Sequence, residues 1–258
     1  LEIPQNEKSN FLKFARGDWT KAPNEDREEL PWQATRSTRT NLPTSLTSFI
    51  GREKELNEVI DLLTQYRLVT LTGPGGIGKT RLSIESARTA LAEFPDGVFF
   101  AALAPLRDPN LIARTVVQSL GFVERGNIPA EQQLREGIGG RTMLIVLDNC
   151  EHLIEGVSAL AFDLLSTCPH IKILATSRES LRISGEWLYA VPALGIMPEE
   201  NVPLDLETAS HSPMLRLFAE RARAVRSDFT LTNENLQAVS SICTKLDGLP
   251  LAIELIAA

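Results

Sequence analysis

The sequence is poor in cysteine and in long apolar runs, and each shortage excludes a class of protein. The three cysteines, Cys150, Cys168 and Cys243, are odd in number and far apart. This spacing argues against a disulfide framework and predicts free thiols in a reducing compartment. No apolar run approaches the roughly 18 residues that a membrane helix requires, and the first residues lack the basic-then-apolar pattern of a secretory signal. We therefore expect a soluble, cytoplasmic protein.

Positive charge and aromatic residues are also scarce. The chain has 26 basic and 33 acidic residues, which gives a formal net charge of −7. Binding of nucleic acid without sequence preference depends on counterion release by lysine and arginine, so this balance argues against a nucleic-acid-binding module. Aromatic residues make up 6% of the chain, too few for base-stacking platforms. With 43% hydrophobic residues, the chain can still bury a sizeable core.

Composition divides the chain into three parts. Residues 1–45 are mostly polar and contain scattered prolines, which predicts a short helix followed by a linker. Residues 46–205 alternate short apolar strands with helices, the pattern of a parallel α/β sheet. The predicted strands are 67–72, 97–103, 142–148 and 171–177, and the predicted helices are 53–65, 79–93, 108–120 and 153–166. Residues 206–258 predict helices only, the start of an all-α domain that we expect to continue further.

One segment carries the strongest chemical signal. Gly73, Gly78, Lys79 and Thr80 match the phosphate-binding pattern G-x-x-x-x-G-K-[ST], with a predicted strand before it and a predicted helix after it. The glycines let the backbone turn so that successive N–H groups point inward and form an anion cradle with the helix N-terminus. Lys79 adds a full charge for the β- and γ-phosphates, and the Thr80 hydroxyl is expected to ligate Mg²⁺.

A second element supports the same site. The apolar stretch 144–148 ends in Asp148, and a carboxylate at the end of such a strand can hold Mg²⁺ through water beside the phosphate loop. We therefore predict a P-loop NTPase fold, a three-layer α/β sandwich with a parallel sheet, followed by the start of an all-α domain.

The residues after Asp148 bear on ATP hydrolysis. Many P-loop ATPases have a second acid at the next position to activate water, whereas this chain has Asn149, which cannot accept a proton. Glu151 is the nearest replacement, although a carboxylate there is more typical of a residue that caps or begins the next helix. We therefore expect hydrolysis to be slow.

Arg178 ends the next buried strand along the chain. The carboxyl ends of such strands face the ligand crevice, where a guanidinium can reach a γ-phosphate. A surface salt bridge is the alternative interpretation. The residues expected to act in catalysis are Lys79, Asp148 and Arg178.

Five motifs occur in an order that is typical of one family. They are GRE at 51–53, the loop GPGGIGKT, LIVLDNCEH at 144–152, ATSR at 175–178 and GLPLAIE at 248–254. With these motifs, residues 46–258 resemble the nucleotide-binding core of STAND-class P-loop ATPases of the NB-ARC type. Such signal-transduction ATPases occur in apoptotic activators, plant resistance receptors and large bacterial transcription regulators. LDNCEHL and SRESLRISGEW are most similar to the bacterial regulators.

The resemblance implies a switch whose ATP or ADP state, with Mg²⁺, controls domain arrangement or oligomerisation, and which slow ATP hydrolysis resets. Phe49, Ile50, Gly51 and Arg52 would surround the adenine, and Pro250 would pack against the base or ribose. The loop residues that would bind the nucleotide are Gly75, Gly76, Ile77, Gly78, Lys79, Thr80 and Arg81.

The same resemblance implies partners outside the sequence. Winged-helix and sensor domains would follow residue 258, and a histidine of the winged helix would contact the β-phosphate in the resting state. The ATP-bound form would be able to form a homo-oligomer. DNA would be bound only through regions outside this sequence, as in a bacterial transcription regulator.

Two other functions stay open on the residues alone. A phosphotransferase that acts on a small substrate would use the same loop, but no acceptor lid is evident between the predicted strands. A nucleic-acid-binding module would need a local basic site. The Cys-x-His pairs at 150–152 and 168–170 lack the usual spacing of a zinc site. The arginine-rich helix 220–226 is predicted to be a solvated face.

Overall fold

The computed structural model describes residues 39–195 and 205–258, which all belong to one compact unit, Thr38–Ala258. The helix predicted near the start of the chain, and most of the linker after it, lie outside the described residues. Within the described ranges, no helix is both long enough and apolar enough to cross a membrane.

A five-stranded sheet forms the centre of this unit. All strands are parallel, and their order is β2-β3-β4-β1-β5. Their bounds are β1 Leu68–Thr72, β2 Val98–Ala102, β3 Leu144–Asp148, β4 Lys172–Ser177 and β5 Glu186–Ala190. The first four are the predicted strands, and the predicted α/β P-loop fold is confirmed. β5 is not among the predicted strands; it is an edge strand whose Trp187 and Leu188 are partly exposed.

Helices occur between the strands, and from α6 onward the described elements are all helices. The bounds are α1 Glu53–Gln65, α2 Lys79–Thr89, α3 Ile112–Ser119, α4 Ala130–Ile138, α5 Ile154–Thr167, α6 Leu206–His211, α7 Pro213–Val225, α8 Leu236–Lys245 and α9 Pro250–Ala257. Helices α4 and α6 are not among the predicted helices. Asp108, the first residue of the predicted helix 108–120, caps the short turn before α3, because its side chain accepts a hydrogen bond from Asn110 N at 3.0 Å.

Both faces of the sheet are buried, which makes the sandwich three layers thick. Along β3, Ile145 and Leu147 belong to the core shared with α3, α4 and α5. The alternate residues Leu144 and Val146 belong to the core shared with α1 and α2. Because successive side chains point to opposite faces of a strand, a continuous apolar run fills both cores at once.

The free edge of β2 is covered by residues 39–42. Val98 N donates to Arg39 O at 3.0 Å, and Thr40 forms a parallel bridge with Val98. The Asn41 side chain then takes the place of a backbone pair, since its Nδ2 donates to Phe100 O at 2.9 Å and its Oδ1 accepts from Phe100 N at 2.7 Å. These contacts satisfy edge groups that would otherwise be available to another chain.

The helical part has its own core and is attached to the sheet part through that core. Helices α6 to α9 bury a third apolar cluster, which Ile50 and Leu194 join from the neighbouring sheet part. Leu194 N also donates to Gly248 O at 2.9 Å. The helical part is thus fixed against the carboxyl ends of the strands.

The interior strands of the sheet should contribute more to stability than its edge. Leu144→Ala removes a fully buried side chain from β3, and we expect a loss of about 2–5 kcal/mol in the free energy of unfolding, since the sheet cannot collapse around the cavity. Leu188→Ala makes the same change at a half-exposed position of β5 and should cost less than about 1 kcal/mol. Urea denaturation followed by circular dichroism measures both, and equal losses would contradict this account of the core.

Candidate functional site

A cavity of about 640 Å³ opens where the carboxyl ends of the strands meet the helical part. It is lined by the β1–α2 loop, by residues 44–50 and by side chains of α7 and α9. The sequence-predicted residues that line it are Phe49, Ile50, Arg52, Gly75, Gly76, Gly78, Lys79, Thr80, Arg81, Arg178 and Pro250. Gly51, Ile77 and Asp148 are not in its wall but directly adjoin residues that are. The carboxyl end of a parallel sheet is the usual place for a ligand in such folds.

The phosphate loop makes a turn that requires glycine. The φ angles of Gly76 and Gly78 are 79° and 96°, in the region that L-amino acids rarely adopt. A Cβ on Gly76 would lie 3.2 Å from Cβ of Leu251, at the start of α9. Leu251 N donates to Gly76 O at 3.3 Å. The loop is therefore in direct contact with the helical part.

Lys79 is a charged side chain that is shielded from solvent at the phosphate loop. Its side chain is buried, and its Nζ donates to Gly73 O at 2.7 Å and to Pro74 O at 3.0 Å. Burial lowers the pKa of Lys79, while the charge of Glu151 acts in the opposite direction. The ammonium is held by neutral carbonyl oxygens, and phosphate oxygens would supply the opposite charge that burial makes favourable.

Asp148 is held by two hydroxyl groups that act on the same oxygen. Thr80 Oγ1 donates to Asp148 Oδ1 at 2.6 Å, and Thr176 Oγ1 donates to it at 2.7 Å. A threonine hydroxyl and a carboxylate are hard oxygen donors, the type that Mg²⁺ prefers. The residues present therefore fit a magnesium ion bound by Thr80 and, through water, by Asp148.

Asn149 adopts a left-handed conformation, with a φ of 65°. Its backbone N donates to Thr176 Oγ1 at 2.9 Å, so one threonine holds both Asp148 and the turn after it. His152 Nε2 lies 2.9 Å from Leu106 O, which can only accept, so this nitrogen carries the proton. His152 Nδ1 then accepts from Asn149 Nδ2 at 3.2 Å. The Asn149 amide is thus a donor in this network.

Arg178 and Glu151 form an ion pair at the cavity wall. Arg178 Nε donates to Glu151 Oε1 at 3.1 Å. The arginine side chain is 66% exposed, whereas that of Glu151 is 17% exposed. Arg178 therefore lies at the predicted place, and in the described structure its partner is an acid within the same site.

Residues 49–52 meet the cavity at its other end, and each has a different environment. Phe49 and Ile50 line the cavity with apolar surface. Arg52 is buried and its Nη2 donates to Ile77 O at 2.9 Å, which ties the start of α1 to the phosphate loop. Gly51 has a φ of 66°, and a Cβ there would lie 2.3 Å from Cβ of Pro213.

The helical wall contains a charged pair that the sequence analysis missed. Arg221 Nε and Nη2 donate to Glu254 Oε1 at 3.0 and 2.9 Å, and both residues line the cavity with Pro250. The prediction that helix 220–226 is a solvated face is wrong at Arg221, whose side chain is 14% exposed. Its position one turn after the buried Leu217 was the available signal.

Residues 44–48 line the cavity as well, and no sequence pattern predicts this. They are held by α2: Arg81 Nη1 donates to Thr47 Oγ1 at 3.1 Å, its Nη2 donates to Thr47 O, and Arg88 Nη2 donates to Pro43 O at 2.6 Å. Arg81 thus lines the cavity while its guanidinium binds this segment.

Two longer relatives found by sequence are named as regulators. A Mycobacterium bovis protein, provisionally named as an HTH-type transcriptional regulator, is 44% identical over 197 residues, 76% of this chain and 20% of that protein. The regulatory protein AfsR of Streptomyces coelicolor is 29% identical over 127 residues, 42% of this chain and 13% of that protein. The chain therefore spans about a fifth or less of the length of these two relatives. No protein-family model matches the chain.

Solved structures share the fold. A STAND protein with a tetratricopeptide repeat sensor from Pyrococcus horikoshii is 18% identical with a TM-score of 0.51, covering 84% of this chain and 31% of that chain. A chain of the Drosophila ORC bound to DNA gives a TM-score of 0.54 at 14% identity, covering 80% and 59% of the two chains. These structures show the fold, and the sequence relatives carry the names of regulators. Both agree with the resemblance to STAND-class P-loop ATPases that the motifs indicate.

Thr176 should be worth more to stability than its size suggests. Thr176→Val leaves Asp148 without one donor and the Asn149 N–H without its acceptor, so we expect a loss of about 1–3 kcal/mol in the free energy of unfolding. Thr70 is a matched control on β1, because its Oγ1 is buried with no hydrogen-bond partner among the described residues. Thr70→Val should be neutral or stabilising. Urea denaturation of both variants measures the two free energies of unfolding. A neutral Thr176→Val would contradict the prediction.

Proposed function

We propose that residues 46–205 and 206–258 are the P-loop domain and the helical domain of an adenine-nucleotide switch. The observation that supports this most is the contact between Leu251 N of α9 and Gly76 O of the phosphate loop, at 3.3 Å. A nucleotide in the adjoining cavity of about 640 Å³ would touch both domains. A ligand shifts an equilibrium between two arrangements only through its different affinities for them, so contact with both is what such a switch requires.

Each part of an ATP or ADP molecule has a proposed set of contacts. Lys79 and the loop N–H groups would bind the β- and γ-phosphates. Thr80 and Asp148 would hold Mg²⁺, which when bound neutralises charge on the phosphate oxygens. The apolar surfaces of Phe49, Ile50 and Pro250 would contact the adenine and ribose. The remaining predicted binding residues, which would act mainly through backbone and support, are Gly51, Arg52, Gly75, Gly76, Ile77, Gly78 and Arg81.

The γ-phosphate is the difference between the two nucleotide states, and Arg178 is the proposed residue that detects it. Its side chain is 66% exposed at the wall of the cavity, so it is able to change partners. A guanidinium binds phosphate oxygens through two parallel hydrogen bonds. Moving a switch from mostly off to mostly on needs a difference of about 5.5 kcal/mol between the states, more than one such contact supplies. The helical wall must contribute the rest.

Slow hydrolysis is proposed as the reset step. Asn149 follows Asp148 where many P-loop ATPases have an acid, and its side-chain amide donates to His152 at 3.2 Å. An amide cannot accept a proton from water, so the loop is better suited to holding nucleotide than to rapid turnover.

The wider role is proposed from the relatives. The chain would be the cytoplasmic regulatory core of a bacterial transcription regulator, with a winged helix, sensor domains and DNA-binding regions elsewhere in the same protein. The ATP-bound form would self-associate.

Nucleotide binding should appear as a gain in thermal stability. Saturation with ADP or ATP·Mg²⁺ at about 100 times the dissociation constant should add roughly 2.7 kcal/mol to the free energy of unfolding. Lys79→Ala removes the ammonium and should abolish the shift. Lys54→Ala changes an 84% exposed lysine on α1 and should leave the shift intact. Melting without any response of the wild-type protein to either adenine nucleotide would refute the proposed function.

Arg178 should control discrimination between the two nucleotides. Arg178→Gln should weaken ATP binding about 10-fold or more, since hydrogen bonds to charged groups are worth about 1.5–3 kcal/mol, and should change ADP binding less than about twofold. Arg182→Gln, on a nearby 74% exposed arginine that pairs with Glu179, is the control and should alter neither. Isothermal titration calorimetry with ADP and a non-hydrolysable ATP analogue measures both constants; equal losses for the two ligands would argue against this role.

A further inference from the structure

Glu151 lies in the 3-10 turn Cys150–His152, three residues after Asp148, so it begins the helical segment that follows the strand, as one of the two interpretations expected. Its side chain has a second environment besides this turn. Its carboxylate lines the cavity and accepts from Arg178 Nε at 3.1 Å. The side chain is therefore directed into the site rather than along the helix that follows.

The second carboxylate oxygen has no partner. Glu151 Oε2 is buried, and no hydrogen bond to it is formed within the described residues. A buried, unpaired carboxylate oxygen is unfavourable unless something polar binds there in the working protein. Two of the cations that line the cavity, Lys79 and Arg178, interact with Glu151: its charge acts on Lys79, and Arg178 donates to it. Glu151 is thus an acceptor within the charged centre of the cavity.

No other carboxylate at this end of the site is equally available. Asp148 Oδ1 is engaged by the hydroxyls of Thr80 and Thr176, and its proposed task is the magnesium ion. Asn149 offers an amide that donates to His152. Among the described residues that line the cavity, the remaining acid is Glu254, which is paired with Arg221 on the helical wall.

We infer that Glu151 is the acidic group of the γ-phosphate subsite, and this inference rests on the proposed function. It pairs with Arg178 when no γ-phosphate is present. When ATP binds, Arg178 turns to the γ-phosphate and leaves Glu151 free to receive a water molecule. The water oxygen forms a bond to the γ-phosphorus as the bond to the β–γ bridging oxygen breaks. Glu151 accepts the proton of the water, and ADP and inorganic phosphate are the products.

The ion pair makes the two roles of Glu151 depend on each other. Arg178 Nε donates to Glu151 Oε1 at 3.1 Å, so one oxygen of the carboxylate is already occupied. Release of Arg178 frees this oxygen for a water molecule beside the γ-phosphate. The same pairing competes with the γ-phosphate for Arg178 and lowers the affinity for ATP, but it does not compete with ADP. Loss of the Glu151 charge should thus change binding and hydrolysis in opposite directions.

The test compares Glu151→Gln with Glu155→Gln, the same change at an exposed position at the start of α5. Calorimetry gives the dissociation constants for ADP and a non-hydrolysable ATP analogue, and a single-turnover assay with labelled ATP gives the hydrolysis rate. For Glu151→Gln, we expect hydrolysis to fall about 100-fold or more, ATP affinity to rise about 3–10-fold, and ADP affinity to change less than about twofold. Glu155→Gln should match the wild-type protein in all three.

Each other outcome has a distinct meaning. Unchanged ATP affinity, or hydrolysis within about threefold of wild type, would overturn the inference while leaving the proposed function standing. If the wild-type protein binds neither nucleotide, the proposed function fails first. Glu151→Asp keeps the charge and shortens the side chain, so it should slow hydrolysis without raising the ATP-to-ADP affinity ratio. If Glu151→Gln does not fold, Glu151→Asp provides the test of the inference in its place.

Discussion

The site depends on one carboxylate oxygen that accepts two hydroxyl groups. Asp148 Oδ1 receives Thr80 from the start of α2 and Thr176 from the end of β4, at 2.6 and 2.7 Å. Asp148 itself ends β3, so this oxygen joins the phosphate loop to two neighbouring strands. Thr176 also accepts from Asn149 N at 2.9 Å and thereby fixes the left-handed turn behind the strand. The position of Glu151 follows from that turn.

Two buried cations and the helical part all bind the backbone of the phosphate loop. Lys79 and Arg52 are both buried, and burial lowers the pKa of each. Both are bound by carbonyl oxygens of the phosphate loop, Gly73 and Pro74 for one and Ile77 for the other. Carbonyl oxygens of the loop thus bind two cations, and Gly76 O accepts a hydrogen bond from Leu251 N of α9. A change in charge at the loop would therefore affect residues on both sides of the cavity, because the same short backbone segment contacts both sides.

The sequence predicts those parts of the site that consist of consecutive residues with a local geometry. The loop 73–80 and the strand ending in Asp148 are of this kind, because the tight turn requires glycine and a strand buried on both faces requires apolar residues. The edge strand β5 and the segment 39–48 are held in place by neighbours far along the chain, which the local sequence does not specify. The prediction for Arg221 fails for a related reason: an arginine-rich helix is normally solvated, and the pairing of Arg221 with Glu254 is a tertiary contact.

The arrangement of acids at the site suits a switch better than an efficient ATPase. An enzyme under selection for rapid turnover would keep its base free, whereas here the acid nearest to the cavity wall is bound by the cation that is proposed to recognise the γ-phosphate. On the proposed function, ATP binding would exchange the partner of Arg178 and free Glu151 to receive water. That exchange would lower ATP affinity and delay hydrolysis together. The lifetime of the ATP state would therefore be set by the Arg178–Glu151 pair, and the helical domain, which meets the same cavity, would have that lifetime in which to respond.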